Sequence, residues 1–304
     1  MKKTVFFSIM ASLLLFSCKK EHKNAPAPEQ KTYQVNFNVS GFTQQIVGST
    51  GNKLQTNSLQ TNSVTALGAS SDFLYYRVYD STTGAIVHQT VQDSSMANFG
   101  SVVDYLPAGK YIFVFVACKP NVTLNNYGMP NAGMTFGPGL SSWSDTFYKS
   151  DTLTVSTGNI NQNITLKRVV GQLTIKLNDI FPANASKINI FVSEELNAFS
   201  FATSNWATGG HTVQLNFNSI IADSLKVKSG YKRSIFMMND FRPFTVTVTC
   251  YDSANKVLVQ SVIPNVVVQW NTQTILTGNL FGSGAGFHVG LTLPWNPTPI
   301  NIPF

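Results

Sequence analysis

Apolar and polar residues alternate along most of the chain from residue 33 onward. Val35, Phe37 and Val39 are separated by single polar residues, and this period of two predicts a strand with one buried face. Other short runs are rich in β-branched and aromatic residues and predict further strands. These runs are 73–80, 85–91, 110–118, 151–155, 163–177, 187–193, 211–217, 231–238, 244–252, 256–264, 273–281 and 287–293. Because no stretch beyond the first residues has the period of an amphipathic helix, the pattern predicts an all-β fold built from sandwiches or barrels.

Two long stretches lack this alternation. Residues 48–71 are rich in Ser, Thr, Asn, Gln and Gly, and we interpret them as a long loop. Residues 119–149 contain three prolines, yet they also carry large apolar side chains, among them Met134, Phe136 and Trp143. That combination predicts a long surface excursion that is either a packed loop or a contact surface.

The amino end has the features of an export signal. Two lysines precede an apolar run from Thr4 to Phe16, which at 13 residues is shorter than the ~20 residues of a membrane-spanning helix. The run ends in Leu15-Phe16-Ser17-Cys18, which resembles the lipobox of bacterial lipoproteins. An ordinary secretory signal with a chance cysteine is the alternative interpretation.

The lipobox resemblance implies a defined maturation. Residues 1–17 would be a signal peptide, and the thiol of Cys18 would carry a diacylglyceryl group, with further acylation (palmitate-type chains) at the new amino terminus. Residues 18–31 have no apolar period, so they predict a tether between the lipid and the folded part. Several acyl chains together hold a protein firmly at a membrane.

The composition excludes a nucleic-acid-binding protein. The formal net charge is +7, but beyond residue 31 the chain has 15 basic and 12 acidic residues, or about +3, and no run of Lys or Arg. Hydrophobic residues make up 43% of the chain and charged residues only 12%. Ser, Thr, Asn and Gln must therefore form the polar surface, which is typical of an exported β-protein.

Two cysteines remain after Cys18, and each lies in an apolar, strand-like run. Cys118 and Cys250 could form a disulfide in an oxidising compartment. The alternative, which their apolar surroundings favour, is that they are two separate buried thiols.

No arrangement of residues predicts catalysis, a metal site or a cofactor. The four histidines, at positions 22, 88, 211 and 288, have no metal-ligand spacing, and no nucleophile-elbow motif surrounds a serine. Glu194 and Glu195 are adjacent, and neighbouring strand residues face opposite ways, so we predict an exposed strand end there. The glycine-rich residues 282–286 are not followed by a helix pattern, so they predict a turn.

Three segments resemble the fimbrillin and fimbrial-anchor lipoprotein superfamily of Bacteroidetes, whose members build type V pili. They are Leu106-Pro107-Ala108-Gly109-Lys110-Tyr111, Lys167-Arg168-Val169-Val170-Gly171 and the run from Asn271 to Phe281. The resemblance implies two tandem transthyretin-like antiparallel β-sandwich domains, placed at 32–166 and 167–293, followed by a Pro-rich tail at 294–304. A weak echo between residues 79–87 and 251–259 supports two similar domains without proving duplication.

The resemblance also implies a function. The chain would be a non-enzymatic, surface-exposed lipoprotein of the outer membrane, acting in pilus assembly and adhesion through β-strand contacts between subunits. Stalk subunits of the superfamily are usually trimmed after an arginine, which removes a first strand. Here no arginine precedes Arg77, which favours an anchor or accessory subunit, although a cut at Lys31 or Lys53 stays open.

The carboxyl end is the candidate for partner contact. Phe287, Val289, Leu291 and Leu293 lie on one face of the last predicted strand, and Trp295 follows in the tail. We predict that these residues contact a neighbouring pilus subunit. The alternative is that the tail packs on its own second domain.

Glycans give two further expectations. Trp143, Trp206, Trp270 and Trp295 could stack on sugar rings, so an outer-membrane glycan-binding lipoprotein is the alternative function, beside an unrelated structural envelope protein. In addition, four Asp-Ser/Thr triplets resemble the O-glycosylation sites of exported proteins of the phylum, although Asp-Ser is also a common turn pair. The acceptors would be Ser81, Thr152, Ser224 and Ser253.

Overall fold

The β-branched and aromatic runs form strands throughout. In this computed structural model, residues 30–41, 67–120, 122–137, 142–206, 212–239, 242–282 and 284–294 are described, and the chain from Thr32 onward forms one compact unit. The predicted signal peptide and Cys18 lie outside the described residues, as does nearly all of the tether. Within the described ranges, no helix is both long enough and apolar enough to cross a membrane.

Ten strands form the first half of the described chain. They are β1 (Thr32–Ser40), β2 (Phe73–Asp80), β3 (Ile86–Asp93), β4 (Ser101–Pro107), β5 (Gly109–Cys118), β6 (Val122–Leu124), β7 (Gly133–Phe136), β8 (Thr146–Val155), β9 (Ile160–Thr165) and β10 (Lys167–Arg168). A one-turn helix, α1 (Leu67–Ser70), precedes β2.

Ten more strands form the second half. They are β11 (Gly171–Leu177), β12 (Ala185–Leu196), β13 (Ala198–Ser200), β14 (Asn205–Trp206), β15 (Thr212–Ile220), β16 (Tyr231–Met237), β17 (Phe244–Asp252), β18 (Val257–Val266), β19 (Thr272–Asn279) and β20 (Gly286–Pro294). A short 3₁₀ helix covers Asp223–Lys226.

The first half is a sandwich of two sheets. One sheet has the order β4-β1-β9, and the other has the order β10-β8-β5-β2-β3. Inward residues of both sheets share one core cluster, in which the ring of Phe37 from β1 lies 4.9 Å from that of Phe113 and 5.0 Å from that of Phe115. Aromatic pairs at such distances add to the hydrophobic stabilisation of the core.

The second half repeats this arrangement. Its sheets have the orders β16-β11-β19-β20 and β15-β12-β17-β18, and their inward residues share a separate core cluster that includes Leu173, Ile190 and Val248. β11 pairs antiparallel with β16 and parallel with β19, as β1 pairs antiparallel with β4 and parallel with β9. The predicted all-β sandwich fold is confirmed.

Lettering seven strands A to G in chain order makes the equivalence explicit. A is β1 or β11, B is β2 or β12, C is β3 or β15, D is β4 or β16, E is β5 or β17, F is β8 or β18, and G is β9 or β19. Both halves then have one sheet D-A-G and one sheet C-B-E-F. The sequence echo joins hairpin β2–β3 to hairpin β17–β18, which are B–C and E–F, so it does not relate equivalent strands.

The segment predicted as one strand over 163–177 is instead three strands. β9 pairs with β1, β10 pairs with β8, and β11 pairs with β16 and β19, because the chain passes here from the first sandwich to the second. Gly171 stands at the start of β11, where an added Cβ would lie 2.2 Å from the backbone oxygen of Gln269. The domain boundary between residues 166 and 167 stays a prediction.

The excursion predicted at 119–149 is packed. Its strands β6 and β7 join β13 and β14 of the second half in a four-stranded sheet of order β14-β13-β7-β6. This sheet covers a third apolar cluster, which contains residues of both halves, among them Val116, Met134, Trp143, Phe199 and Met238. We call this sheet and cluster the joint.

Candidate functional site: the terminal strand, the sheet edges and the joint

The last strand covers the G edge of the second half. β20 pairs antiparallel with β19, with Phe287 opposite Gly278 and Val289 opposite Leu276. A Cβ at Gly278 would lie 2.3 Å from the backbone oxygen of Gly286 and 2.8 Å from the Cα of Phe287. Glycine is therefore required at position 278 for β20 to approach this closely.

The structure places the predicted contact residues in different situations. Phe287 is partly buried and packs against the core of the second half, whereas Val289 is 55% exposed. Leu291 and Leu293 lie in β20, but their side chains are outside the described residues, as is Trp295. The predicted strand at 287–293 is thus confirmed, and its role in partner contact stays a prediction.

The equivalent edge in the first half has no such cover in the described part of the chain. β9 pairs with β1 on one side, and no described strand lies on its other side. Three consecutive residues of β9, Asn161, Gln162 and Asn163, are exposed. A free strand edge presents unpaired backbone N–H and C=O groups, which can pair with an extended segment of another chain.

The first strand is in place in the first sandwich. β1 lies between β4 and β9, and Val35, Phe37 and Val39 are all less than 5% exposed. Its outward amides continue the pairing, because Asn36 Nδ2 donates to Asn161 Oδ1 at 2.7 Å. A cut at Lys31 would leave β1 intact, whereas a cut at Lys53, which is outside the described residues, would release it from the rest of the chain.

Hydrogen bonds fix the joint between the halves. Trp143 is 2% exposed, and its Nε1 donates to the backbone oxygen of Leu196 at 2.7 Å. Trp270 Nε1 donates to the backbone oxygen of Met238 at 3.0 Å, and the Tyr148 hydroxyl donates to the backbone oxygen of Phe201 at 3.1 Å. Trp143 is therefore buried and cannot stack on a sugar, which contradicts that part of the glycan expectation.

Of the other three tryptophans, only Trp270 has a described side chain. Trp270 is partly buried, and its ring centroid lies 6.0 Å from that of Phe199 in the joint. The side chain of Trp206 and the whole of Trp295 lie outside the described residues. The sequence signal for the joint was the apolar content of 119–149, which did not reveal its partner.

Arg168 connects the two halves through an ion pair on one side and a hydrogen bond on the other. Its Nε and Nη2 donate to the two carboxylate oxygens of Asp145 at 2.8 and 3.0 Å, and its Nη1 donates to Asn271 Oδ1 at 3.0 Å. A planar guanidinium matches a carboxylate in this two-point geometry. The arginine that leads the family-like segment thus fixes the crossing between the sandwiches.

Glu195 is the most buried carboxyl group of the joint region. The prediction of an exposed strand end is wrong for Glu195, which is fully buried, because a bulge between Val192 and Glu195 shifts the register of β12. Its Oε1 accepts from the backbone N–H of Met238 at 2.6 Å, and its Oε2 has no hydrogen-bond partner. Burial raises the pKa of Glu195 well above its ordinary value, since the charged form is poorly solvated.

The two remaining cysteines are separate free thiols. Cys118 lies in the joint cluster and Cys250 lies in the core of the second half, and both are buried. Burial raises the pKa of Cys118 to about 12 and that of Cys250 to about 11, so both stay protonated at neutral pH. The disulfide alternative is excluded.

The predicted glycan acceptors lie in accessible positions. Thr152, Ser224 and Ser253 are exposed, and Ser81 is partly exposed. Ser81 and Ser253 lie in the turns after β2 and β17, where Asp80 and Asp252 accept backbone N–H groups, so the turn role of Asp-Ser is present. Modification at these four sites stays a prediction.

In the described ranges no group of three or more His, Cys, Asp and Glu side chains could hold a metal ion.

A family model matches residues 135–297, which is more than half of the chain, and its description is a family of unknown function, DUF6562. The chain belongs to this family. The comparison with curated proteins finds no match. The DUF6562 segment includes β8 to β20 and the joint residue Trp143, so it spans more than the second sandwich alone.

Solved structures share the fold of this DUF6562 protein. A Bacteroides thetaiotaomicron protein of DUF1812, proposed to bind polysaccharide, has 10% identity and a TM-score of 0.57, covering 85% of this chain and 98% of its own. The fimbrial anchor protein Mfa2 of Porphyromonas gingivalis has 10% identity and a TM-score of 0.52, and the match covers 87% of this chain and 98% of the Mfa2 chain. A proposed adhesin of Bacteroides thetaiotaomicron has 11% identity and a TM-score of 0.51, and the match covers 90% of this chain and 100% of the adhesin chain. At these identities the likeness shows the fold.

Proposed function

We propose that this DUF6562 protein is a non-enzymatic anchor or accessory subunit of a cell-surface fimbria. The observation that carries the proposal is the difference between the two G edges: β20 covers β19, whereas no described strand covers β9. An extended segment of a neighbouring subunit would pair with β9, its backbone supplying affinity and its alternate side chains supplying specificity. The likeness of the fold to that of the fimbrial anchor protein Mfa2 supports this assignment.

The buried first strand favours an anchor or accessory subunit over a trimmed stalk subunit. β1 contributes three buried side chains and the aromatic contacts of Phe37 to the first core. Removing it would expose both β4 and β9, so its loss would create a long groove of the kind that strand exchange uses. With β1 retained, β9 is left uncovered on one side by the described strands.

The proposed location is the outer membrane, with the lipid on Cys18 and the sandwiches facing outward. The lipobox-like sequence supports the lipid, and the low share of charged residues, 12%, supports the exported location. Fimbrial subunits are the proposed partners, and no nucleic acid or cofactor is part of the proposal.

The test is a Cys18→Ala variant in the native cell, compared with a Cys250→Ala variant that removes a buried thiol instead. We expect the Cys18 variant to leave the membrane fraction and to release fimbriae into the medium, while the Cys250 variant stays on the cells. Retention of the Cys18 variant in the membrane with attached fimbriae would contradict the anchor function.

Glycan binding is the second candidate function. The structural likeness to the DUF1812 protein favours it, although the burial of Trp143 removes one of the predicted stacking residues. Binding of the purified chain to an array of polysaccharides, with no capture of fimbrial subunits in cells, would promote this function above the fimbrial one.

A further inference from the structure

A groove lies on the outer face of the first sandwich, where the edge strand β3 passes beside β6. Its volume is about 460 Å³, within the roughly 300–1,000 Å³ typical of small-molecule sites. Residues of β2 form its floor, and residues of β3 and the β6 segment form its walls. Neither the terminal strand nor the β9 edge contributes to it, so a ligand in this groove is separate from the proposed fimbrial contacts.

The floor of the groove contains a buried cation. Leu74, Tyr76 and Val78 of β2 point into the core, so the alternate residues Tyr75 and Arg77 point outward. Arg77 is only 6% exposed. Its Nη2 donates to Asn126 Oδ1 at 3.1 Å, and its Nη1 donates to the backbone oxygen of Asn125.

Arg77 has no counter-charge among the residues that the structure describes. No carboxylate in these ranges lies within 4.0 Å of its guanidinium, whereas Arg168 pairs with Asp145 at 2.8 Å. Burying a charge without an opposite charge is unfavourable. An anion bound in the groove would offset that cost and would meet donors that are already oriented.

The rest of the groove is uncharged, and its lining combines polar side chains with the apolar Val91, Val122 and Leu124. Gln89 is the cross-strand partner of Arg77 in the β2–β3 pairing, so the two side chains share the outer face. Thr123 and Asn126 are exposed on the opposite wall, and the half-buried ring of Tyr75 lies on the floor. One guanidinium beside amides, hydroxyls, an aromatic ring and aliphatic side chains matches a ligand that has one carboxylate, several hydroxyl groups and the apolar faces of a ring.

We propose that this groove binds an acidic saccharide, with the carboxylate of a hexuronate-type residue on Arg77. Tyr75 packs against the sugar ring, and Gln89, Thr123 and Asn126 bind its hydroxyl groups. The open groove admits a residue within a longer polysaccharide, so the natural ligand class is an acidic glycan at the cell surface.

Isothermal titration of the full-length chain in mild detergent tests the assignment. The probes are short oligosaccharides of galacturonate, glucuronate and mannuronate, each compared with its methyl ester, which keeps the ring and removes the charge. We expect at least one acidic series to bind, and its ester to bind roughly tenfold or more weakly, the loss typical of a charge-assisted hydrogen bond. Binding should also weaken as salt increases.

Two variants separate binding from folding. Arg77→Gln should lower the affinity for the acidic oligosaccharide roughly tenfold or more. This change also removes a contact to the 125–126 segment, so it can affect folding as well. Gln89→Glu keeps Arg77 and places a carboxylate opposite it, so it should abolish binding without lowering the melting temperature. Gln260→Glu, an exposed position on β18 of the second half, adds the same charge away from the groove and should bind like the unaltered chain.

Several results would overturn the proposal. They are equal binding of acid and ester, unchanged binding by Gln89→Glu, the absence of binding to all three acidic series at millimolar concentration, and binding of an acidic peptide without any saccharide binding. An unaltered cross-link pattern with fimbrial subunits in Gln89→Glu cells would leave the proposed function standing whatever the saccharide result.

Discussion

The two halves of the molecule have the same strand order and differ at two sheet edges, one of which is the F edge that β10 extends in the first half. Both contain a D-A-G sheet packed on a C-B-E-F sheet, and in both the A strand lies between an antiparallel D and a parallel G. In the second half β20 extends the D-A-G sheet beyond G. In the described part of the first half nothing extends it. One sandwich topology can therefore be closed at an edge by its own chain, or keep an uncovered edge with which a segment of another chain can pair.

The halves also differ in how they meet. The excursion of the first half supplies Trp143 and two short strands, and the second half supplies β13, β14 and the carbonyl that Trp143 binds. A third apolar cluster is therefore shared by both. Because burial of apolar surface is cooperative within a cluster, we expect the two sandwiches to unfold as a coupled unit.

The largest expected effect follows from breaking the joint. Trp143→Ala removes a fully buried ring and should cost roughly 3–5 kcal/mol of the free energy of unfolding. We expect the single denaturant transition to separate into two, one for each sandwich. Trp143→Phe, which keeps most of the ring but loses the bond to Leu196, should give a smaller loss and one transition. An unshifted transition for Trp143→Ala would show that Trp143 does not stabilise the joint, and a single transition shifted to lower denaturant would show that the sandwiches stay coupled without it.

The second effect tests the closed edge. Gly278→Ala places a Cβ against the backbone of Gly286 and Phe287, and such overpacking typically costs roughly 1–3 kcal/mol. Hydrogen exchange of residues 286–294 should accelerate, while that of β9 stays the same. Gly284→Ala is the matched control, since a Cβ there meets nothing within 4 Å. Unchanged protection of β20 in Gly278→Ala would argue against its tight pairing with β19.

The third effect concerns the pH dependence of the joint. Glu195 has a folded-state pKa raised by burial, so its favourable protonated form is complete below its ordinary pKa of 4.5. The stability that it contributes is lost as pH rises from there through the raised pKa. Glu195→Gln should remove this fall and give a more stable protein at neutral pH. Parallel stability–pH curves for the two proteins, measured by urea unfolding, would contradict the assignment.

The smallest expected effect concerns Asp80 in the turn after β2, and its pH dependence is opposite in sign to that of Glu195. Hydrogen bonds from Thr83 and Thr82 lower the pKa of Asp80 below its ordinary value of 3.8. Its contribution is therefore present above that value and is lost as pH falls through the lowered pKa. Asp80→Ala should lower the melting temperature slightly at pH 7 and leave it unchanged near pH 2. A decrease of the same size at both pH values would show that its charge is not involved.

Much of the fold could be predicted from alternation, because sandwich strands with one buried face have a period of two. The alternation of Val35, Phe37 and Val39 predicted β1, and that of residues 287–293 predicted β20. The crossing at 166–171 was not predictable, because β9, β10 and β11 pair with different strands and pairing between distant residues does not show in a local pattern. The family-like segment at 167–171 marked this place without giving its geometry.

The candidate sites were less predictable, because they depend on pairings between distant residues. The burial of Glu195 results from a bulge that only pairing with β15 shows. The partner of Trp143 lies 53 residues away along the chain. Likewise, the uncovered β9 edge follows from the sheet order, and the groove at Arg77 depends on the return of β6 beside β3.

Site-specific photo-cross-linking on intact native cells tests whether a neighbouring subunit pairs with the uncovered edge of β9. A photoreactive residue replaces Gln162 on the uncovered edge strand β9 or, as the matched control, Thr277 on the covered strand β19. We predict that the Gln162 position gives an adduct with a second β-sandwich subunit and that the Thr277 position cross-links only within its own chain, to β20. Equal adducts from both positions, or none with another chain from Gln162, would contradict the account.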